Sequence, residues 1–279
     1  LRTGKRRRQL MFCTEKKAEI GVVGGTGFYT FLDDAEEVQI DTPYGFTSDA
    51  ISVGVLGGKR IAFLPRHGKK HQYPPHMVNY RANMWALKKL GVSRVLGPCA
   101  VGSLQPEVHP GDFVFCDQFV DRTTGRKDTF YDGPKTVHLS SADPYCPHLR
   151  EIGISAAKEL GLRYHSDGTM VVIQGPRFST RAESKWFSSM GWKVVNMTGY
   201  PEVMLARELG MCYLNVSLIT DYDVGLEGRP DIKPVTAEEV TRVFDEHNEL
   251  LKGLIAKIIE GIPDEVHCSC HDELERIKG

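Results

Sequence analysis

Apolar, β-branched runs recur at Ile20 to Val23, Ile61 to Leu64, Val95 to Gly97, Phe113 to Cys116, Met170 to Ile173, Val194 to Asn196 and Tyr213 to Ile219, with helix-compatible segments between them. Short continuous runs of this kind predict strands buried on both faces, and their alternation with helices predicts a largely parallel sheet. Between the first two runs lie Val38 to Asp41 and Ile51 to Val55, set about Thr42-Pro43-Tyr44-Gly45. This pattern predicts a turn-linked antiparallel insertion. The fold class is therefore α/β, a single-domain mixed β-sheet flanked by helices.

Helices are legible where turn chemistry brackets a 3.6-residue period. Val78 to Leu90 stops at Gly91, and Pro201 to Leu209 stops at Gly210, glycine being the residue that leaves a helix most easily. Thr236-Ala237-Glu238-Glu239 predicts a capping box ahead of an apolar stripe through Val240, Phe244, Leu251, Leu254 and Ile258. His247 falls on that stripe and is read as a packed residue without chemistry.

Composition, with 41 % hydrophobic and 25 % charged residues among 279, suits a globular domain. No stretch approaches the roughly 20 apolar residues of a membrane span, and no secretory core opens the chain, so we expect a cytoplasmic protein without a membrane partner. The net charge of −1 conceals Arg2, Lys5, Arg6, Arg7 and Arg8 near the start. Residues 1–17 are expected to form a disordered basic extension rather than a nucleic-acid-binding arm, and Met11 offers an alternative start. No repeat or linker interrupts residues 18–262, leaving 263–279 as a tail. Cys13, Cys99, Cys116, Cys146 and Cys212 stand alone in sequence and are expected to be free thiols. The tail run His267-Cys268-Ser269-Cys270-His271 carries zinc-ligand types, but its spacing matches no usual finger.

Candidate chemistry gathers at predicted strand ends, where α/β folds bind ligands. Gly24-Gly25-Thr26-Gly27 is either an anion cradle of free amides or a tight turn. Pro65-Arg66-His67-Gly68 offers a guanidinium fork beside an imidazole. Gly97-Pro98-Cys99-Ala100-Val101-Gly102-Ser103 is small enough to present backbone to a ligand or to pack closely. Gln174 to Glu183 runs through a Gly-Pro turn into a helix start, with Phe178 either covering a planar base or filling the core. Most telling is Thr220-Asp221-Tyr222-Asp223 after an apolar strand. Residues two apart on a strand share a face, and paired carboxylates raise each other's proton affinity, so one Asp can act as an acid; metal binding or helix capping are the bland alternatives.

Taken in order, GVVGGTG, LPRHG, VNYRANMWALK, GDFVFCDQFVDRTT, QGPRFSTRAES, VNMTGYPEVMLARELG and TDYD resemble the methylthioadenosine phosphorylase branch of the trimeric purine nucleoside phosphorylases. The resemblance runs from about Ile20 to Ile259. It implies a phosphate site at Thr26, Arg66, His67, Cys99, Ala100 and Thr198, although many relatives carry a hydroxyl residue where Cys99 stands. It further implies ribose against Met197, beside Asn196, a purine stacked on Phe178, and Asp221 and Asp223 facing the base across Tyr222. Asp221 suits a 6-amino group. Ala237 and Val240 suit a methylthio group rather than a hydroxyl, with Ser179 beside the base. The resemblance also implies a trimer or a hexamer, with His138 donated to the neighbouring 5′ pocket, and a Cys268–Cys270 disulfide in preference to zinc. Inorganic phosphate would be a cosubstrate and no metal or organic cofactor is expected. A nicotinamide oxidoreductase using Gly24 to Gly27 and Asp41 is the rival of a different class, and it leaves TDYD unexplained.

Overall fold

The computed structural model describes residues 18–25, 32, 35–134, 136–226, 229–265 and 268–272. Thr26 and the basic extension, together with His267 of the tail run, lie outside these residues. In chain order the elements are β1 (Ile20–Gly24), β2 (Glu36–Val38), β3 (Ile51–Leu56), β4 (Lys59–Pro65), α1 (Tyr80–Lys89), β5 (Arg94–Ser103), β6 (Phe113–Val114), β7 (Gln118–Arg122), α2 (Pro147–Glu159), β8 (Tyr164–His165), β9 (Thr169–Ile173), α3 (Arg181–Ser189), β10 (Val194–Asn196), α4 (Gly199–Glu208), β11 (Cys212–Asp221) and α5 (Ala237–Gly261).

Each apolar run became a strand, and the sheet is mixed as expected. Its main path is β2-β3-β4-β1-β5-β10-β9-β7, while β11 pairs with β5 and β6, and β6 with β8. The β2-β3-β4 meander is the antiparallel insertion. Alternate residues feed opposite faces. Val22, Phe63 and Leu96 pack with α2 and α5 side chains such as Leu149, Leu254 and Ile258. Val23, Leu64 and Val95 pack with Met84, Leu87, Val203 and Leu205 of α1 and α4. Sealing both faces is what the continuous apolar runs require.

β5 organises the site. It runs parallel to β11 along nearly its whole length. On its other edge it pairs with β1 through Arg94 to Leu96 and with antiparallel β10 only at Gly102 and Ser103. The stretch Gly97 to Val101 therefore has no ladder partner on that edge, and side chains take its carbonyls instead. Arg66 Nη1 donates to the Pro98 oxygen at 3.1 Å and Asn196 Nδ2 to the Ala100 oxygen at 3.2 Å.

Two local expectations need correction. Thr236 caps α5 by accepting from the Glu239 amide at 3.2 Å, but the Glu239 carboxylate turns to Arg242, so the box is half formed. The reciprocal capping box belongs to Thr180 and Glu183 at α3. Likewise Asp221 and Asp223 do not share a strand face, because β11 has an irregular register between Ile219 and Asp221 and ends at Asp221, while Asp223 takes a φ of 51°. A turn, rather than strand alternation, brings the two carboxylates together.

Candidate active site

A cavity of about 480 Å³ opens where β5 loses its ladder partner, a size suited to a small-molecule site. One wall is Asp221 and Asp223, the opposite anchor is Arg66 and His67, and the face of α5 contributes Ala237, Val240 and Phe244.

Asp221 is buried, with Thr220 Oγ1 donating to Oδ2 at 2.8 Å and the Asp223 amide donating to Oδ1 at 2.7 Å. These donors favour the anion, but burial outweighs them and pushes its pKa up to about 6. Repulsion from Asp223 adds to the rise without leading it, so desolvation is the main cause rather than the carboxylate pairing anticipated from sequence. Thr220 Oγ1 also lies 3.3 Å from the Val101 carbonyl, an alternative acceptor if Oδ2 takes a proton. Asp223 is buried too, and burial raises its pKa against the Ser184 and Ser179 hydroxyls and the Val224 amide. Its Oδ2 is buried with no hydrogen-bond partner, although the residue lines the cavity. A buried acceptor left unmatched is costly, and two donors can satisfy it, the Ser179 hydroxyl, itself buried and unpartnered beside it, or a ligand group in the cavity. Gly102 allows the approach, since a Cβ there would stand 2.9 Å from Asp221 Oδ1.

The cationic end is more constrained than an exposed fork. Arg66 Nε and Nη2 donate to the two Glu202 oxygens at 2.7 and 2.8 Å, and Nη2 also donates to the Val23 carbonyl at 2.8 Å. The Tyr213 hydroxyl donates to Glu202 Oε1 at 2.6 Å. Burial opposes the guanidinium charge, but Glu202 outweighs it and holds Arg66 ionised. Of five N–H groups this leaves one on Nη1 for a ligand. His67 Nδ1 lies 2.8 Å from the Tyr73 carbonyl, which can only accept, so Nδ1 carries the hydrogen. Burial, then Arg66, lowers the His67 pKa to about 4, and the neutral ring keeps an accepting Nε2.

Other candidates divide by what their polar atoms already do. Asn196 Oδ1 accepts from the Thr198 and Gly199 amides, both at 2.6 Å, so this side chain shapes the site rather than offering a hand to a ligand. The Cys99 sulfur faces Asn215 and Ser217 inside the sheet, and burial raises its pKa, so it is a neutral thiol. Cys99, Ala100, Thr198, Met197 and Phe178 all line the cavity.

The family model described as Phosphorylase superfamily matches residues 19–260. The chain belongs to this superfamily. A Thermofilum pendens protein named S-methyl-5′-thioadenosine phosphorylase is 51 % identical over 262 residues, covering 93 % of this chain and 98 % of that one. A Streptomyces coelicolor protein named purine nucleoside phosphorylase is 50 % identical, covering 91 % and 93 %. Among solved structures, a variant of Schistosoma mansoni adenosine/methylthioadenosine phosphorylase in complex with methylthioadenosine superposes with a TM-score of 0.84 at 37 % identity, over 94 % of this chain and 96 % of that one.

As a superfamily phosphorylase the chain gathers most residues singled out from sequence around one cavity, with four exceptions. Thr26 lies outside the described residues. Tyr222 is off the cavity wall, near Arg229, Asp112 and Arg163. Ser179 stands behind Asp223 rather than on the wall. His138 is exposed and away from the cavity of its own chain. Sequence reasoning passed over Glu202, Tyr213, Ser184 and Arg126. Arg126 Nη2 donates to the Gln174 and Met197 carbonyls, both at 2.9 Å, tying the Gly-Pro turn to the cavity wall at Met197. Glu202 had a signal, because a carboxylate amid the apolar residues of Pro201 to Leu209 demands a buried cation.

Proposed function

We propose that the protein uses inorganic phosphate to cleave 5′-methylthioadenosine into adenine and 5-methylthioribose 1-phosphate. The observation that carries this reading is the buried Asp221–Asp223 pair, one carboxyl raised toward neutral pH and the other holding an unmatched oxygen, across a cavity from Arg66 and His67. Phosphate oxygen forms a bond to the anomeric carbon as the bond from that carbon to purine N9 breaks. The electron pair goes into the purine ring, and Asp221 delivers its proton to N7 so that adenine leaves neutral. Asp223 Oδ2 accepts from the 6-amino group. Arg66 Nη1 donates to phosphate while neutral His67 accepts from a protonated phosphate oxygen through Nε2. Thr26, Ala100 and Thr198 complete that end, Met197 backs the ribose and Phe178 covers the base. Electrostatics and positioning supply the rate, without a metal or organic cofactor in the chemistry.

Ala237, Val240 and Phe244 give the 5′ end an apolar surface that accommodates a thioether, with Thr241 and Asp245 as the polar lining of the same helix. The Streptomyces relative favours a second reading, a broader purine nucleoside phosphorylase. We further infer a cytoplasmic trimer or hexamer in which the exposed His138 reaches a neighbouring 5′ pocket. The deciding assay is adenine release from 5′-methylthioadenosine with and without phosphate, beside adenosine, inosine and guanosine. Phosphate-dependent release fastest with methylthioadenosine is expected. A preference for inosine or guanosine would establish the second reading, and release independent of phosphate would overturn both.

A further inference from the structure

Far from this cavity, Cys146, Cys212, Cys268 and Cys270 bring their Sγ atoms within 4.8 Å of one another. They come from three separate parts of the chain: the residue ahead of α2, the first residue of β11, and the segment that follows α5. Cys146, Cys212 and Cys270 are buried and Cys268 is half-buried. Two of the cysteines that stand alone in sequence thus join the tail pair. We propose that these four sulfurs bind a single structural zinc ion.

The size of the cluster fits. Sulfurs at the usual Zn–S distance of about 2.3 Å from a tetrahedral centre stand about 3.8 Å apart, and every pair here lies within 4.8 Å. Chemistry supports the same centre. Thiols are weak donors and weak acceptors, so four of them gain little from one another, whereas an all-sulfur tetrahedral set with no carboxylate is the ligand field of a closed zinc site. The Cys212 and Cys268 sulfurs stand 3.2 Å apart, a contact across segments that a Cys268–Cys270 bridge by itself would not require. His271 contributes no atom to the set, so the ligands differ from those the tail run suggested by itself.

Binding converts four thiols to thiolates and releases four protons, leaving a net charge of minus two on the centre. Cys146 is the N-cap residue of the thirteen-residue helix α2, and its side chain makes no capping hydrogen bond. Its sulfur is thereby available to the metal, next to the positive end of the helix dipole, which favours the anionic centre. The role is structural, because Cys212 and Asp221 open and close β11 and so lie about 30 Å apart along an extended strand. The ion fastens the C-terminal segment onto the start of β11 and α2, a segment otherwise tied by Lys59 to Asp264 at 3.3 Å and by Arg94 to the Asp264 carbonyl at 3.0 Å.

The test uses the full chain, expressed with added zinc and purified anaerobically without chelator. Elemental analysis should find about one zinc per chain, and exchange with cobalt(II) should give the charge-transfer and d–d bands of a tetrahedral all-thiolate site. Cys146→Ser and Cys212→Ser should each lower the zinc content ~10-fold and the Tm by several degrees. If those variants fail to fold, the elemental and cobalt measurements on the unaltered chain still decide. Protein without stoichiometric metal overturns the proposal, whether its four thiols titrate freely or its intact mass is lighter by the four hydrogens lost to two disulfides. Stoichiometric iron in place of zinc overturns it as well. None of these readouts depends on the reaction proposed above.

Discussion

Burial raises Asp221 from 3.8 to about 6, so the folded chain holds this proton more tightly than the unfolded chain. Its contribution to stability is therefore full below about pH 4 and is lost as the pH rises through about 6, a swing of about 3 kcal/mol. Asp221→Asn has nearly the same shape and no charge to desolvate. Without ligand, the variant should be about 1–3 kcal/mol more stable than the parent at pH 8 and similar at pH 4. Cleavage of adenine nucleosides should meanwhile fall ~10²–10⁴-fold, with little change in KM for phosphate. Urea denaturation at the two pH values and initial rates check both halves, and wild-type turnover in the variant would refute the acid assignment. At this scale the sequence pointed to two carboxylates that the structure places on the cavity wall, but not to their arrangement. The irregularity in β11 and the positive φ of Asp223 lie where the Asp221 side chain packs against Gly102 and the Thr220 hydroxyl, and neither is written in a period-two pattern.

Among the elements, the proposed selectivity for the 5′ substituent rests on α5. Ala237, Val240, Thr241 and Phe244 share one face at helical spacing and line the cavity. Val240→Asn would replace an apolar contact to the thioether with a polar amide. We expect kcat/KM for methylthioadenosine to fall ~10–100-fold, and its advantage over adenosine to shrink by about tenfold. Parallel kinetics with the two nucleosides test this, and an unchanged ratio would remove α5 from the 5′ pocket. The stripe of α5 was legible because an amphipathic helix advertises its buried face. The functional turn of that stripe was not distinguishable from its core turns, since apolar residues serve a pocket wall and a core equally well. The N-termini of α3 and α5 were likewise alike in sequence. The Thr180–Glu183 box of α3 was present in the string but overshadowed by the matching Thr236–Glu239 pair, and only side-chain competition from Arg242 separates the two.

For the whole molecule, the exposed apolar groups set the expectation. Phe46 is 83 % exposed and Met77 61 %. Tyr44, Trp85 and Phe130 form a half-exposed aromatic cluster with ring centroids 5.1 to 6.0 Å apart. Large exposed apolar side chains of this kind favour association. Sedimentation should give about three or six times the chain mass of 31.2 kDa. Phe46→Glu should shift the population toward smaller species and lower turnover, because a 5′ pocket completed by a neighbour opens when the neighbour leaves. A fully active monomer would overturn the shared pocket.

The sequence alone determined the layered α/β fold, the strand ends that line the cavity, and the family. These depend on local period, on turn residues and on ordered motifs, all of which survive projection onto a line. The tertiary structure decided the rest. It spent most of the Arg66 fork on Glu202 and on the Val23 and Pro98 carbonyls, occupied Asn196 with backbone amides, raised Asp221 chiefly by burial, and gathered four cysteines from distant segments. Each of these outcomes depends on which groups compete for one partner in three dimensions and how far water is excluded from it. Sequence spacing holds no record of that competition.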